Sequence, residues 1–580
     1  MKQLILEKAF ERSLERVLSS FPDCPAGSAL ELWVFEDASY RRSMESRFAS
    51  RGISARVRSA YKPLLCFFLD EAEREGLARA HVAYPVRPEC APDRFLMEAY
   101  PLAALLENCE LSFSPRADDR LFYEVTLLYA DGRRTRFEVF APNRLKVDHI
   151  GETVLSPVGW IRHEIAGGID APLETEYESI YSAVMESVAT HDWGEVEPFF
   201  GVLSIRVSLP AMETVLPYGE ETLSLSEALH EDLYFSLLEY FQKKTGRPVS
   251  DRTIRPGQIV PEIVHGQLAS LTIETRTLPK PLADSAEEIQ DLDTAVRPLS
   301  PAQISAELKS IGGERFEARS YLGRALEARY RSGSDAAVLI SGGQHANETT
   351  GIVGALRAAK VLARRPNAHF AVEPLENPDG YDLHRQLRVE NPKHMHHAAR
   401  YTALGNDLEY QTDDSVYEKA LRMEALRRCG AQLHVNLHGY PSHEWTRPNS
   451  GYIPRGFASW TLPHGFFLVL RHHASWAERV EIFLDAMTRR LCSVPGLITF
   501  NKEQLKLYSI HTRDRTFRLI NGFPCMCSVD TATTVPVRLI TEYPDETVYA
   551  DAFVAGHTAQ MEAVLAAYDA FQTISSPTGV

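Results

Sequence analysis

Residues 341–351 read SGGQHANETTG and connect an apolar run, residues 336–340, to a segment with helical periodicity that ends near residue 362. The apolar run predicts a buried strand, so His345 and Glu348 are expected at a strand-to-helix turn, at the carboxyl end of that strand. Open α/β sheets place their ligand sites at these ends. A neutral imidazole and a carboxylate three residues apart can bind one Zn²⁺ ion together with a further ligand. The stretch therefore predicts part of a metal site.

A later histidine offers the missing ligand. Residues 431–440, AQLHVNLHGY, alternate as a strand and place His438 at its end, before Gly439. His434 shares the same face, but it would lie about 13 Å farther back at ~3.3 Å per residue, too far for the same ion. His438 is therefore the predicted third ligand.

A carboxylate in the last predicted strand suits a general base. Residues 537–544, VRLITEYP, alternate as a strand and place Glu542 at its carboxyl end. A glutamate near a metal-activated water can accept its proton. Glu546 is the rival base and is expected beyond the strand.

Size and charge limit the class of protein. The 580 residues are too many for one hydrophobic core and predict two to four domains. The net charge of −16 argues against nucleic acid as a partner, because phosphate binding needs a basic face. No apolar run approaches the roughly 18 residues of a membrane span. Apolar residues at helical spacing from Leu4 to Leu18 predict an amphipathic helix rather than a signal peptide. The scattered cysteines favour a reduced, cytoplasmic setting without a membrane partner.

Changes in periodicity predict four parts of the chain. Residues 1–150 are expected to form an α+β accessory domain, and residues 151–280 a second α+β accessory region that contains an aromatic-rich helix at 225–244. Residues 281–305 contain several prolines and polar residues, which predicts a linker. Residues 306–580 alternate strands with helices, the pattern of an α/β fold. Because the first two parts show no catalytic constellation, we expect them to restrict the substrate or to support oligomerisation.

Four short motifs occur in a characteristic order: HANE at residues 345–348, NPDGY at 377–381, LHGY at 437–440 and TE at 541–542. Together they resemble the signatures of the zinc carboxypeptidase family, the carboxypeptidase A-like metallopeptidases. The resemblance covers about residues 300–575. It implies that this part is an α/β/α sandwich with a mixed sheet.

The same resemblance implies an activity. One Zn²⁺ ion per chain is expected to be held by His345, Glu348 and His438, with Glu542 as the base and proton shuttle. The implied reaction is hydrolysis of a peptide bond or of an amide bond in a small molecule. The protein is thus expected to be a zinc metallopeptidase, similar to the metallocarboxypeptidases.

The sequence departs from the family at the substrate clamp. In the family, an Asn-Arg pair that binds the terminal carboxylate of the substrate follows a Gly-x-Asp-x segment. Here GNDL at residues 405–408 is followed by Glu409 and Tyr410. We assign these two residues, with Arg400 and Tyr440, to substrate binding. Recognition of a terminal carboxylate is left open.

The arginine that stabilises the oxyanion in the family follows the NPDG segment. We expect residues 377–380 to form a turn, because Pro fixes φ and Gly adopts positive φ. Arg388 and Arg385 are the catalytic candidates, and Arg400 is a third. The correspondence among them stays open at this point.

Three histidines follow, His394, His396 and His397. They could hold a second metal ion or recognise an acidic substrate. A role without metal is favoured, because the first zinc site is complete without them.

Three functions remain open. The leading one is a zinc-dependent hydrolase of a peptide or amide bond. The second is an N-acyl amino acid deacylase of the aspartoacylase type, although the NPDG segment favours the peptidase. The third is a catalytically silent zinc-bound binding module, which the presence of Glu542 disfavours. The oligomeric state also remains open and includes a homo-oligomer.

Overall fold

The computed structural model of the chain describes residues 2–20, 29–163, 168–210, 213–217, 221–249, 251–278, 289–411, 416–442, 445–455, 465–512 and 516–575. The first part of the linker predicted at residues 281–305 lies outside the described residues. Within the described ranges, no helix is long and apolar enough to cross a lipid bilayer.

The N-terminal half contains sixteen described strands and seven described helices. The strands are β1 Gln3–Phe10, β2 Ala29–Val34, β3 Ser54–Ser59, β4 Leu77–Tyr84, β5 Glu110–Pro115, β6 Phe122–Tyr129, β7 Arg134–Phe140, β8 Asn143–Val147, β9 Thr153–Pro157, β10 Gly159–His163, β11 Ile169–Leu173, β12 Val202–Leu209, β13 Glu213–Val215, β14 Thr222–Ser224, β15 Gln258–His265 and β16 Ala269–Arg276. The helices are α1 Ser13–Ser20, α2 Ala38–Ser50, α3 Pro63–Asp70, α4 Arg94–Glu98, α5 Leu102–Leu105, α6 Glu176–Thr190 and α7 Leu225–Lys244.

These strands form three four-stranded sheets and two hairpins. The four-stranded sheets have the orders β1-β16-β12-β15, β11-β10-β2-β3 and β5-β4-β6-β7, and β13-β14 and β8-β9 pair separately. Two of the sheets combine strands from both sides of residue 150. Strand pairing thus links the two predicted accessory parts, and the boundaries predicted at residues 150, 280 and 305 stay predictions.

The start of the chain differs from the predicted amphipathic helix. Residues Gln3–Phe10 form β1, which pairs antiparallel with β16, and only Ser13–Ser20 is helical. The helix prediction was wrong because the apolar spacing near Leu4 does not reveal a partner strand more than 250 residues away. Backbone hydrogen bonds to that strand override the local pattern.

The C-terminal half contains nine described strands and eight described helices. The strands are β17 Glu314–Arg319, β18 Ala325–Arg331, β19 Val338–Gly342, β20 Phe370–Glu373, β21 Leu433–Pro441, β22 Phe467–His472, β23 Arg518–Ile520, β24 Phe523–Val529 and β25 Val537–Glu546. The helices are α8 Pro301–Ile311, α9 Thr350–Leu362, α10 Pro378–Glu390, α11 His397–Arg400, α12 Lys419–Cys429, α13 Ala477–Leu491, α14 Leu497–His511 and α15 Ala550–Ser575.

One nine-stranded sheet organises this half, in the order β17-β18-β20-β19-β21-β25-β22-β24-β23. Its four central strands, β20, β19, β21 and β25, are parallel, and antiparallel pairs flank them. The α/β class and the mixed sheet are confirmed. The central strands end at one edge, and the predicted ligands lie there.

Apolar side chains of this sheet lie in two clusters with residues of helices. Successive side chains of a strand point to opposite faces. Val338 and Ile340 of β19 lie in one apolar cluster with residues of α9, α13 and α15. Leu339 lies in a second cluster with Leu421 and Ala425 of α12. The central strands are therefore buried on both sides, as their continuous apolar runs indicate.

The NPDG segment begins a helix instead of forming an isolated turn. Asn377 precedes α10, and its Oδ1 accepts a hydrogen bond from the N–H of Gly380 at 2.9 Å. Pro378 occupies the first helical position, where its fixed φ suits the helix and its missing N–H costs nothing. The turn prediction was wrong because an Asn cap followed by Pro is also a helix start.

Helix α7 joins the N-terminal half to two segments of the C-terminal half. The Glu227 carboxylate contacts Nδ1 of His394, and the Glu231 carboxylate contacts both Nε2 of His397 and the indole N–H of Trp445. These carboxylates lie four residues apart, on one face of the helix. One face of α7 therefore binds residues 394–397 and the segment that begins at residue 445.

Two further carboxylates of α7 extend this contact. Asp232 accepts a hydrogen bond from the backbone N–H of Asn449 at 2.5 Å. Glu239 accepts hydrogen bonds from Arg447 and from Arg455, each at 2.7 Å. Because Glu239 and Arg447 are buried, loss of either partner would leave an unpaired buried charge.

Glu239 gives the fold a measurable dependence on pH. Burial alone would raise the pKa of its carboxyl, but Arg447, His149 and Arg455 outweigh burial and lower the pKa from 4.5 to about 2. A carboxyl with a lowered pKa in the folded state stabilises the fold above pH 4.5, and this contribution is lost as the pH falls towards 2. At pH 7 the contribution is about 3 kcal/mol.

We predict that Glu239→Gln lowers the free energy of unfolding most at pH 7. The difference from the wild-type protein should shrink by about 2 kcal/mol between pH 7 and pH 3, because at pH 3 the Glu239 carboxyl is protonated in the unfolded wild-type chain but still largely ionised in the folded one. Urea denaturation at several pH values measures it. Glu195→Gln, at an exposed position, is the matched control. A difference that stays constant with pH would contradict the assigned role of Glu239.

Candidate metal centre

The turn between β19 and α9 contains the first two predicted ligands. Asp545 of β25 accepts hydrogen bonds from the backbone N–H and the hydroxyl of Thr350, at 3.0 and 2.6 Å. It thus satisfies a donor that the start of a helix leaves free. A Cβ atom at Gly351 would lie 2.9 Å from Cβ of Leu437, so glycine permits the close approach of α9 to β21. These contacts hold the start of α9 beside the end of β21.

His345, Glu348 and His438 converge at this place. The Nδ1 atoms of the two histidines are 3.1 Å apart, and the Glu348 carboxylate lies 2.8 Å from the first and 3.0 Å from the second. All three residues are buried, and their ligand atoms lie within 4.8 Å of one another. Two ligands at ~2.0 Å from a tetrahedral zinc ion would be roughly 3.3 Å apart. The cluster therefore fits a metal ion both in its donor atoms and in their spacing.

Other groups orient the three side chains. Nε2 of His345 lies 3.7 Å from the carboxylate of Asp407. The backbone N–H of Gly439 donates to Glu348 at 3.0 Å. The backbone oxygen of His438 accepts a hydrogen bond from Gln560 of α15 at 2.8 Å. Contacts of this kind fix ring orientation and ligand basicity in metal sites.

The charges of the cluster favour an ionised carboxylate. Burial would raise the pKa of Glu348, but His345, Arg400 and His438 outweigh burial and hold that pKa well below its usual value. Burial and Arg400 lower the pKa of His345, but Glu348 and Asp407 outweigh both and raise it. Burial lowers the pKa of His438. Glu348 is thus available as an anionic ligand.

Glu542 lies beside the cluster on the adjacent parallel strand. It is in register with His438, and residues in register on neighbouring strands point to the same face. Burial and the charge of Glu348 raise the pKa of the Glu542 carboxyl well above its usual value. A nearby cation would reverse this shift.

Glu546 lies within β25 and not beyond the strand as expected. Its buried carboxylate is 3.8 Å from Arg400, and burial raises its pKa to about 7. Neither of its oxygens has a hydrogen-bond partner among the described residues. The pairing of β25 with β21 continues past a register shift between Tyr440 and Pro441, and Glu546 pairs with Pro441.

The three predicted arginines have different neighbours. Arg400 donates to Glu348 at 2.7 Å. Arg385 is buried, and its guanidinium lies 3.7 Å from the carboxylate of Asp382 on the same helix. Arg388 lies near Tyr549, where its charge opposes the rise that burial causes in the pKa of that tyrosine. Among these three, Arg400 is the residue whose described contacts reach the cluster.

A glycine determines the position of the segment before Arg400. A Cβ atom at Gly380 would lie 2.4 Å from the backbone oxygen of Ala399. Any larger residue would therefore displace the start of α10 from α11, which ends at Arg400. The NPDG segment thus supports the arginine through backbone packing.

The residues at the position of the family's clamp have other partners. Glu409 accepts hydrogen bonds at 2.6 Å from Arg422 and from both Nη atoms of Arg538, and these charges hold its pKa far below the usual value despite burial. Tyr410 is 44% exposed. The hydroxyl of Tyr440 donates to the backbone oxygen of Gly465 at 2.6 Å. The roles assigned to these residues in substrate binding stay predictions.

The additional histidines lie against N-terminal residues. His394 and His397 contact carboxylates of α7, as described above, and Nε2 of His396 lies 3.0 Å from the backbone oxygen of Asn391. In the described part of the chain, His345, Glu348 and His438 form the one group of three side chains that could hold a metal ion. His394 and His397 thus contact protein carboxylates, and Nε2 of His394 also lies 2.9 Å from Nδ1 of His230.

Sequence reasoning did not identify Asp407, Asp545 or Gln560. Asp407 lies in the GNDL segment, directly before the missing clamp, and this position was its only signal. Asp545 and Gln560 approach the cluster from elements far away in the sequence, and no local pattern marks them. Their roles depend on packing between β25, α9 and α15.

No family model matches this chain, and no curated protein matches it. Solved structures that are similar to it include a metallo-carboxypeptidase from Burkholderia cenocepacia, 16% identical, with 52% of this chain and 76% of that chain covered and a TM-score of 0.30. A metallo-carboxypeptidase from Pseudomonas aeruginosa, in complex with (2-guanidinoethylmercapto)succinic acid, is 12% identical, with 53% and 73% covered and a TM-score of 0.30. Thrombin activatable fibrinolysis inhibitor is 11% identical, with 51% and 80% covered and a TM-score of 0.29.

These structures include metallo-carboxypeptidases, the family that the sequence motifs resemble, and they match about half of the chain. At this level of identity and overlap they assign no activity. The function proposed below therefore rests on the cluster of side chains.

We predict that the purified protein binds about one divalent metal ion per chain. His438→Ala should abolish binding, because it leaves two ligands. Elemental analysis after gel filtration measures the metal content. His473→Ala, at a half-buried histidine that contacts the backbone oxygen of Thr533, is the matched control and should retain the metal. Full retention by His438→Ala would contradict the ligand assignment.

Proposed function

We propose that the protein is a zinc-dependent metallohydrolase that cleaves a peptide or amide bond, as a carboxypeptidase-like metallopeptidase does. The main support is the convergence of His345, Glu348 and His438 beside Glu542. Two imidazoles and a carboxylate are a ligand set of catalytic zinc sites, in which a fourth position stays open. We propose one zinc ion per chain. We also propose that the C-terminal half is an α/β/α sandwich, which the two apolar clusters on opposite faces of the sheet support.

The side chains around the cluster divide the chemistry among them. A bound zinc ion would lower the pKa of a water molecule and would polarise the carbonyl group of the substrate. Glu542 accepts the proton of the attacking water and returns it to the leaving amine. Arg400 has five N–H donors, of which one binds Glu348. Its remaining donors stabilise the oxyanion, and we propose it for this role over Arg385 and Arg388.

The alternatives differ in what they require of these groups. A silent binding module needs the ligands but not Glu542, so the presence of a base in register with a ligand favours an enzyme. A deacylase of the aspartoacylase type would use the same metal chemistry. Hydrolysis is therefore common to the peptidase and the deacylase, and cleavage of a peptide bond is the more specific proposal.

We predict that Glu542→Gln retains the metal and lowers the rate of hydrolysis about 10²–10⁴-fold, because the amide side chain cannot accept a proton. Initial rates on an N-acylated dipeptide library measure this effect. Glu424→Gln, at an exposed glutamate that pairs with Arg427, is the matched control. Unchanged turnover in Glu542→Gln would exclude it as the base, and the same assay on Glu546→Gln tests the rival.

We predict that peptides with free and with amidated C-termini are hydrolysed at rates within about tenfold of each other, a difference of about 1.4 kcal/mol. At the clamp position Glu409 and Tyr410 stand in place of the Asn-Arg pair, and the charge of Glu409 is balanced by Arg422 and Arg538. Paired sets of the two peptides, assayed by mass spectrometry, measure the ratio. A loss of activity of about a hundredfold or more on amidation would show that another group recognises the terminal carboxylate.

A further inference from the structure

A cavity of about 360 Å³ lies between α7 and the segment that begins at Trp445. Its described walls include the apolar and aromatic side chains of Phe235 and Leu238 on α7, and of Tyr401 and Trp445 from the C-terminal half. Its size lies within the range of pockets that bind small ligands, and its composition is typical of them. The N-terminal half therefore forms one wall of this cavity, which we call the α7 pocket.

Two buried polar atoms of side chains that line the α7 pocket lack partners. Nε of Arg447 and Oε1 of Gln242 have no hydrogen-bond partner among the described residues, although both residues are only 2% exposed. The first is a donor and the second an acceptor. Buried polar groups are normally satisfied, so an unpaired donor and an unpaired acceptor indicate a ligand or water.

The arginines that line the α7 pocket are already paired with carboxylates. Arg447 and Arg455 both bind Glu239, and Arg455 also binds Asp148 and Glu152. Arg252 lies 3.7 Å from Asp407. The pocket thus has no described surplus of positive charge to balance a second carboxylate. Its walls instead favour an uncharged ligand with an apolar body.

The α7 pocket adjoins the metal cluster. Asp407 lies 3.7 Å from His345 on one side and 3.7 Å from Arg252, which lines the pocket, on the other. Tyr401 of the pocket wall directly follows Arg400. Asp407 and Tyr401 therefore connect the wall of this pocket to residues at the cluster.

We propose that the α7 pocket binds one residue of a peptide substrate, with an uncharged, bulky apolar side chain and a secondary amide. The side chain packs against the aromatic wall, the amide oxygen accepts from Nε of Arg447, and the amide N–H donates to Oε1 of Gln242. The inference depends on the proposed function for its substrate class. Helix α7 then contributes to substrate specificity, in addition to its contacts with the C-terminal half.

The test uses the full-length protein and an uncharged probe, N-acetylphenylalanine N-methylamide, with binding measured by titration calorimetry. Val249 lines the pocket and is 38% exposed, so Val249→Trp fills the pocket without disturbing the core. We expect this variant to bind the probe at least about tenfold more weakly, which is the scale of losing contact with a buried aromatic ring. Val196→Trp, at a valine that is 79% exposed, is the matched control and should bind normally. The glycine analogue of the probe should bind the wild-type protein at least about tenfold more weakly.

Leu238→Trp fills the same pocket from α7 and serves as the second variant; circular dichroism melting checks that both variants fold. Equal affinity for the probe in the wild-type protein and in the folded variants would overturn the proposal. Absence of probe binding at millimolar concentration would also overturn it and would leave water as the occupant of the pocket. The calorimetric result is independent of turnover. Weakened binding in Val249→Trp supports the pocket even if hydrolysis is absent, whereas hydrolysis with unaffected probe binding removes the pocket and leaves the hydrolase.

Discussion

The carboxylate of Glu348 is buried, and His345, His438, Arg400 and the backbone N–H of Gly439 surround it. A buried anion is stable only when such groups compensate its lost hydration. The two histidines come from different elements, the arginine from a third, and the amide from a strand end. The charge of Glu348 therefore links the positions of the start of α9, the end of β21 and the segment before Arg400. A metal ion bound by the histidines would also contact this charge.

Much of the site could be predicted because strand ends are visible in the sequence. Apolar runs placed β19, β21 and β25, and the parallel order brings their ends together, so His438 and Glu542 could be placed near each other without coordinates. The choice among the arginines could not be made in this way. Arg400 reaches Glu348 because Gly380 allows close packing of two short segments, and no periodicity marks such an approach. The strand β1 was missed for a similar reason, since its partner is β16.

The role of α7 shows a further limit of local patterns. In the sequence it is visible only as an aromatic-rich helix, and Phe241 is buried. Its carboxylates, however, pair with groups of the C-terminal half, such as Glu231 with Trp445. A carboxylate on a helix normally predicts a solvent-exposed face. The buried face of α7 becomes evident only when its partners in the C-terminal half are known. The two halves of the chain therefore share one polar interface, and its residues lie close to the metal cluster.

The pairing of α7 also has a consequence for synthesis of the chain. Glu227 meets His394 across 167 positions, and Asp232 meets Asn449 across 217. On a ribosome, the helix leaves the exit tunnel long before these partners exist, and its carboxylates remain hydrated until the second half follows. Contacts of such long range form late and slow the final collapse. The three candidate metal ligands lie within about a hundred residues of one another, so their convergence closes shorter loops.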